Sequence, residues 1–178
     1  VASVFVSRID TRVDKRLEEV LSKESDGEKR ALLEKFRGSA AVANTHVIYA
    51  AFRDIFSGRD FTLLQKAGAH VQRVLWGSTG TKNPDYSDIK YVKELIAPDT
   101  VNTVPEKTLI AFLNHGVANV ALTEDASCSE VIIDELQSVG INVGAVCERL
   151  LLDGVAAFER SFQSLLATIE EKVKKVTA

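Results

Sequence analysis

Apolar residues recur along this chain with two different periods. Residues 1–6 (Val1-Ala2-Ser3-Val4-Phe5-Val6) are β-branched, aromatic or small, apolar but for Ser3, and read as a strand covered on both faces. Residues 71–79 and the shorter 100–103 read as a second and a third strand. Elsewhere the spacing is helical. Val13, Leu17, Val20 and Leu21 predict a helix capped by Asp10 or Thr11. Further helices are predicted over 29–36, over 39–56 with Val42, Val47, Ile48, Ala51 and Ile55, and over 61–67. Gly68 then stands where a left-handed cap is common. A helical turn at 91–95 and a helix over 106–114, opened by Pro105 and stopped by Gly116, surround the third strand. Two helices close the chain, over 128–139 and from about 143 to 176, the second broken near Asp153-Gly154.

Strands separated by long helical crossovers are parallel strands under helical cover, an α/β arrangement in which helices dominate. Three strands make an incomplete sheet, since a (β/α)8 barrel needs eight strands and about 250 residues. The 178 residues allow one domain with a buried core. The first residue is Val1, and no Met occurs anywhere. The opening has no charged segment followed by an apolar run, so it does not read as a signal peptide, and the sequence is expected to start within a fold.

Charge narrows the partners. The 22 Lys and Arg against 25 Asp and Glu leave a net charge of −3, without the footprint that nucleic acid or an anionic membrane requires. No apolar run is long enough to span a bilayer. Cys128 and Cys147 match no metal spacing and fit a reducing compartment, and the three histidines show no metal-binding spacing either.

In parallel α/β folds, chemistry gathers where strands end and the following loops begin. All three such corners here are polar. The first runs from Ser3 to Ser7-Arg8-Ile9-Asp10, the second from Trp76 to Asn83, and the third over Thr100-Val101-Asn102-Thr103-Val104-Pro105. Hydroxyls, small residues and a cation at a strand end suit a phosphate monoester: small residues admit the ligand to backbone N–H groups, and Arg or Lys adds charge-assisted bonds. Each feature also has a plainer explanation. Arg8 can pair with Asp10 or Asp14, and Ser78-Thr79-Gly80-Thr81-Lys82 can be a simple turn, since it lacks the nucleotide-binding GxxxxGK[ST] spacing. His46, on an apolar helix, reads as a satisfied half-buried histidine, and His115 as a cation at a helix end. Asp85 and Asp88 serve as caps or cleft residues, and Trp76 as a packing plug or a substrate platform.

These corners carry a family resemblance. Residues 1–11 followed by Val13-Asp14-Lys15-Arg16-Leu17, and Gly38-Ser39-Ala40-Ala41-Val42-Ala43-Asn44, resemble the longer-chain branch of the transaldolase family. The similarity is strongest in Gln72-Arg73-Val74-Leu75-Trp76-Gly77-Ser78-Thr79-Gly80-Thr81-Lys82-Asn83-Pro84-Asp85-Tyr86-Ser87-Asp88. It continues through Tyr91-Val92, Glu94-Leu95-Ile96 and residues 98–105 to Gly154-Val155, Phe158 and Ser161-Phe162. It covers nearly the whole chain.

The resemblance implies the C-terminal part of a (β/α)8 TIM barrel, one domain over 1–178 carrying strands six to eight and the terminal helices. It also implies transfer of a dihydroxyacetone unit from sedoheptulose 7-phosphate or fructose 6-phosphate to an aldose phosphate, in the pentose phosphate pathway. A lysine Schiff base serves as electron sink, without metal or organic cofactor. By the same likeness Ser3 lines the pocket, Arg8 and Ser78 contact substrate phosphate, and Lys82 stands near a second phosphate-binding position. Asn102 and Thr103 are pocket-wall candidates. The family's Schiff-base lysine and acid/base carboxylates lie on earlier strands, so no catalytic residue is assigned here and the chain alone is expected to be inactive. Lys82 does not replace that lysine, because a phosphate-binding ammonium stays charged whereas a Schiff-base amine must be available neutral. The implied partners are the N-terminal half of the barrel and sugar phosphates, with a homodimer compatible and a cytoplasmic or plastid setting. The alternative is a non-catalytic structural or binding subunit of a larger assembly, its sheet edge covered by a partner.

Overall fold

A computed structural model describes residues 1–177, so the last position of the domain expected over 1–178 lies outside the described residues. The elements are β1 (Ala2–Phe5), α1 (Ser7–Leu21), α2 (Gly27–Lys35), α3 (Ala40–Ser57), α4 (Arg59–Lys66), β2 (Val74–Gly77), α5 (Lys90–Lys93), β3 (Thr100–Asn102), α6 (Glu106–His115), α7 (Ser127–Ser138) and α8 (Val143–Thr177). The strands form one parallel sheet in the order β1-β2-β3, with Ser3 opposite Leu75, Phe5 opposite Gly77, and Trp76 between Val4 and Asn102. Each crossover carries at least one helix, as parallel neighbours require.

Two compact units divide the chain, Val1–Val143 and a second from Gly144. In the first, one side of the sheet is packed: Val6, Val74 and Trp76 are buried with Ile9, Val13, Leu17 and Leu21 of α1, and with Leu95, Leu122 and Leu136. Trp76 is fully enclosed and its indole N–H donates to the Leu95 carbonyl at 3.2 Å, so it is a packing plug. The other side carries Ser3 and Phe5, both exposed, and the half-buried Leu75 and Val101. Residues two apart share a sheet face.

Three expectations change. β1 is not covered on both faces; it is the edge of the sheet, and Ala2, Ser3 and Phe5 are exposed. The helix after it starts at Ser7 rather than behind an Asp10 or Thr11 cap, because Val6 already has helical dihedrals and the chain turns straight from strand into helix. Asp10 instead lies inside the first turns, on their buried side. In the second unit α8 runs unbroken through Asp153 and Gly154. A lone helical glycine costs only about 1 kcal/mol, and an Arg149–Asp153 ion pair at 3.0 Å spans that turn. Gly68 does take the left-handed cap expected of it, with φ +97°.

Candidate functional site

The strand-to-helix corner of β1 is locked to the end of β2. The Val6 N–H donates to the Gly77 carbonyl at 3.0 Å, the Ser7 N–H to the Ser78 carbonyl at 3.1 Å, and the Ser7 and Ser78 hydroxyls hydrogen-bond at 3.1 Å. Ser78 holds φ +57°, a left-handed backbone that a residue with a Cβ rarely adopts and that tends to be retained at functional positions. No side chain caps the N-terminus of α1; the Ser7 N–H goes to the Ser78 carbonyl and the Ile9 N–H to the Val6 carbonyl at 3.1 Å, so the helix brings chiefly the positive end of its dipole to the corner.

Arg8 projects outward from this corner. It is exposed, and its guanidinium lies over the Phe5 ring at 5.2 Å from the centroid. It does not pair with Asp10 or Asp14, because both carboxylates have other partners. Asp10 accepts the Ala41 N–H and the Tyr91 hydroxyl, both at 2.7 Å. Asp14 accepts the Gly38 N–H at 2.9 Å and the Tyr86 hydroxyl at 2.8 Å. Lys82 is exposed and lines a groove of about 380 Å³ beside Ser7, Asp10, Asp14 and Tyr86, running down α1 from the corner.

The remaining predicted residues separate by sheet face. Ser3 is exposed on the open face of β1. Thr103 is also exposed, and its N–H and hydroxyl both donate to the Trp76 carbonyl, at 2.9 and 3.0 Å. Asn102 turns toward the helices: its Oδ1 accepts from the Thr79 hydroxyl at 2.7 Å and its Nδ2 donates to the Tyr91 carbonyl at 3.2 Å. Ser7, Ser78 and Arg8 therefore meet at one corner, Lys82 stands over the adjoining groove, and Asn102 ties β3 to the elements behind.

Burial dominates the electrostatics. Asp10 is 1% exposed, and its loss of water raises its pKa from 3.8 to about 6, against the lowering effect of the Tyr91 and Ala41 hydrogen bonds. Burial likewise raises the Tyr91 and Tyr86 hydroxyls, and the facing carboxylates of Asp10 and Asp14 add to it, so both phenols remain protonated donors.

Other candidates have structural partners. His46 lies between the Ser129 hydroxyl (2.9 Å) and the Thr123 carbonyl (3.0 Å), the satisfied histidine that its setting suggested. His115 meets Asp88 at 3.0 Å on the surface. Ser7, Asp14, Tyr86 and Tyr91 were not among the residues singled out for a site. One signal was present for the carboxylates: Asp10 and Asp14 occupy the helical positions that continue the apolar row of Val6, Val13 and Leu17, where a charge needs dedicated partners.

The half-buried Ser78 hydroxyl, backed by the buried Ser7 hydroxyl, together with an outward guanidinium and the positive end of a helix dipole, can bind a doubly charged oxyanion. Residues 1–169 match the family model described as Transaldolase/Fructose-6-phosphate aldolase. The chain is 48% identical over 168 residues to the transaldolase of Mycobacterium bovis (strain BCG / Pasteur 1173P2), covering 93% of this chain and 43% of that protein. The transaldolase of Mycobacterium tuberculosis (strain CDC 1551 / Oshkosh) gives the same figures, and that of Mycolicibacterium smegmatis is 47% identical over 167 residues. The chain thus spans less than half the length of the curated relatives it matches.

Proposed function

This chain belongs to the transaldolase/fructose-6-phosphate aldolase family, and from that premise we propose that it forms the phosphate-binding side of a transaldolase. Its three parallel strands and their helices are then part of a (β/α)8 barrel, with the open face of the sheet, carrying Ser3 and Phe5, toward the barrel axis. The observation that carries the reading is the Ser7–Ser78 corner with Arg8 beside it, at the carboxyl ends of β1 and β2 where barrel enzymes hold their substrates.

In the proposed reaction a lysine amine, supplied outside these residues, condenses with the ketose carbonyl and releases water. A base outside these residues takes the C4 hydroxyl proton as the bond between C3 and C4 breaks; the bond's electron pair stays on the dihydroxyacetone fragment, where the protonated imine accepts it, and an aldose phosphate departs. The resulting enamine attacks the aldehyde carbon of the acceptor, and hydrolysis returns the amine. Residues of this chain act on the far end of the substrate. Arg8 gives charge-assisted bonds to the phosphate, the Ser78 hydroxyl and the α1 N-terminus complete its contacts, and Lys82 adds positive charge from the loop. Holding the phosphate fixes the distance from it to the carbonyl, and so places C2 at the amine. With this proposal go a place in the pentose phosphate pathway and a cytoplasmic or plastid setting, and the proposed partners are sugar phosphates and the rest of the barrel.

The test is transfer. Full-length protein given fructose 6-phosphate and erythrose 4-phosphate should form sedoheptulose 7-phosphate and glyceraldehyde 3-phosphate. Absence of transfer, with sugar phosphates still bound, would favour the non-catalytic binding subunit instead.

A further inference from the structure

Around the phosphate corner, hydrogen bonds and short stretches of backbone together close into a ring. The Ser7 hydroxyl meets that of Ser78. The next residue, Thr79, donates to Asn102 Oδ1 at 2.7 Å, and Asn102 Nδ2 donates to the Tyr91 carbonyl at 3.2 Å. The Tyr91 hydroxyl donates to Asp10 Oδ2 at 2.7 Å, and Asp10 stands one helical turn from Ser7 on α1. The circuit passes through the carboxyl ends of all three strands and through α5. A second link, from the Tyr86 hydroxyl to Asp14, fastens the loop bearing Lys82 to the same helix.

We infer that Thr79, Tyr91, Asn102 and Asp10 are positioning residues that set the Ser7–Ser78 corner and the Lys82 loop at the spacing a substrate phosphate requires. The inference rests on the transaldolase reading for its substrate, and on this geometry alone for the positioning. Thr79 is fully buried, Tyr91 is 2% exposed and Asp10 is 1% exposed, so none of the three reaches a ligand directly. A buried carboxylate is an expensive way to anchor a tyrosine if the only purpose is stability, because an apolar pair of the same shape would avoid its desolvation. What the polar ring adds is fixed direction: each bond sets an orientation that packing alone leaves loose. Ser78, held at φ +57°, is the residue most in need of such support.

The test uses two near-isosteric variants of the full-length protein, Tyr91→Phe and Thr79→Val, each removing one hydroxyl from the ring. Amide hydrogen exchange over residues 78–83 should quicken about fivefold or more in both, the factor one ordinary hydrogen bond is worth, while exchange in α3 stays as in the wild type. KM for fructose 6-phosphate and the inhibition constant of inorganic phosphate should rise together by a similar factor, with kcat within about twofold. A purely structural role would lower thermal stability and leave the phosphate constants unmoved. Unchanged exchange over 78–83, or unchanged phosphate constants in an active enzyme, overturns the inference. A wild type that transfers nothing defeats the transaldolase reading, and the exchange measurement then decides the positioning claim by itself.

Discussion

Asp10 should make the protein less stable as pH rises through the mildly acidic range, opposite to the usual behaviour of a carboxylate. Its carboxyl is buried beneath Tyr91 and Ala41, with Asp14 raising and Lys90 lowering its pKa through space, and the balance stands at about 6 against 3.8 for a free aspartate. The folded protein therefore holds this proton more tightly than the unfolded chain, and between these two values folding takes up a proton. The stabilising increment is fully present below 3.8 and is lost as pH passes 6. The gap corresponds to about 3 kcal/mol at 1.36 kcal/mol per pH unit. Asp10→Asn removes the titration while keeping an acceptor for the Ala41 N–H. The Tyr91 hydroxyl can turn to accept from the new amide. Urea denaturation of wild type and D10N in full-length protein should give similar stabilities near pH 4. The variant should be the more stable at pH 7, by a margin approaching that 3 kcal/mol. A difference between the two proteins that stays flat from pH 4 to 7 would mean that burial does not hold the Asp10 proton and that Asp10 titrates like an exposed group.

Three further predictions test the corner. Arg8→Ala should raise KM for phosphorylated donors by roughly 10- to 150-fold, the worth of a charged hydrogen bond at about 1.5–3 kcal/mol, with little change in melting temperature since Arg8 is exposed. Ser78→Gly relieves the left-handed strain at φ +57° while deleting the Ser7 contact, so stability should stay within about 1 kcal/mol of wild type while KM for sugar phosphates rises; steady-state kinetics beside calorimetry separates the two. Gly38→Ala should destabilise by about 1–3 kcal/mol in denaturant titrations, because φ there is +69° and a Cβ would stand 2.8 Å from the Tyr86 ring, pushing that tyrosine off Asp14.

Much of the scaffold could be read from apolar spacing. The order of strands and helices and the left-handed Gly68 follow from local rules that the tertiary structure does not override, whereas the choice between plug and platform for Trp76 rests on its burial and its bond to Leu95. Boundaries were less legible. Asp10 and Thr11 resemble a helix cap, yet the helix starts at Ser7 because Ser7 is bonded to Ser78, 71 residues away, which no local pattern encodes. Gly154 resembles a break, yet the helix around it is long enough to carry one glycine. Arg8 and Ser78 could be named as site candidates from residue type at strand ends, but their meeting through Ser7 depends on the parallel register of β1 and β2. The Asp10–Tyr91 and Asp14–Tyr86 pairs are hidden for the same reason: the apolar row marks the two carboxylates as buried, but nothing local names Tyr91 and Tyr86 as their partners until α1 is packed against the segment after β2.

The most direct measurement is borohydride trapping of the full-length protein with fructose 6-phosphate, followed by peptide mapping of the modified lysine. The expected product is a three-carbon adduct on a single lysine outside residues 1–178, weakened at limiting substrate by Arg8→Ala. An adduct on Lys82, or none under conditions where the sugar phosphate is bound, would contradict the proposed function.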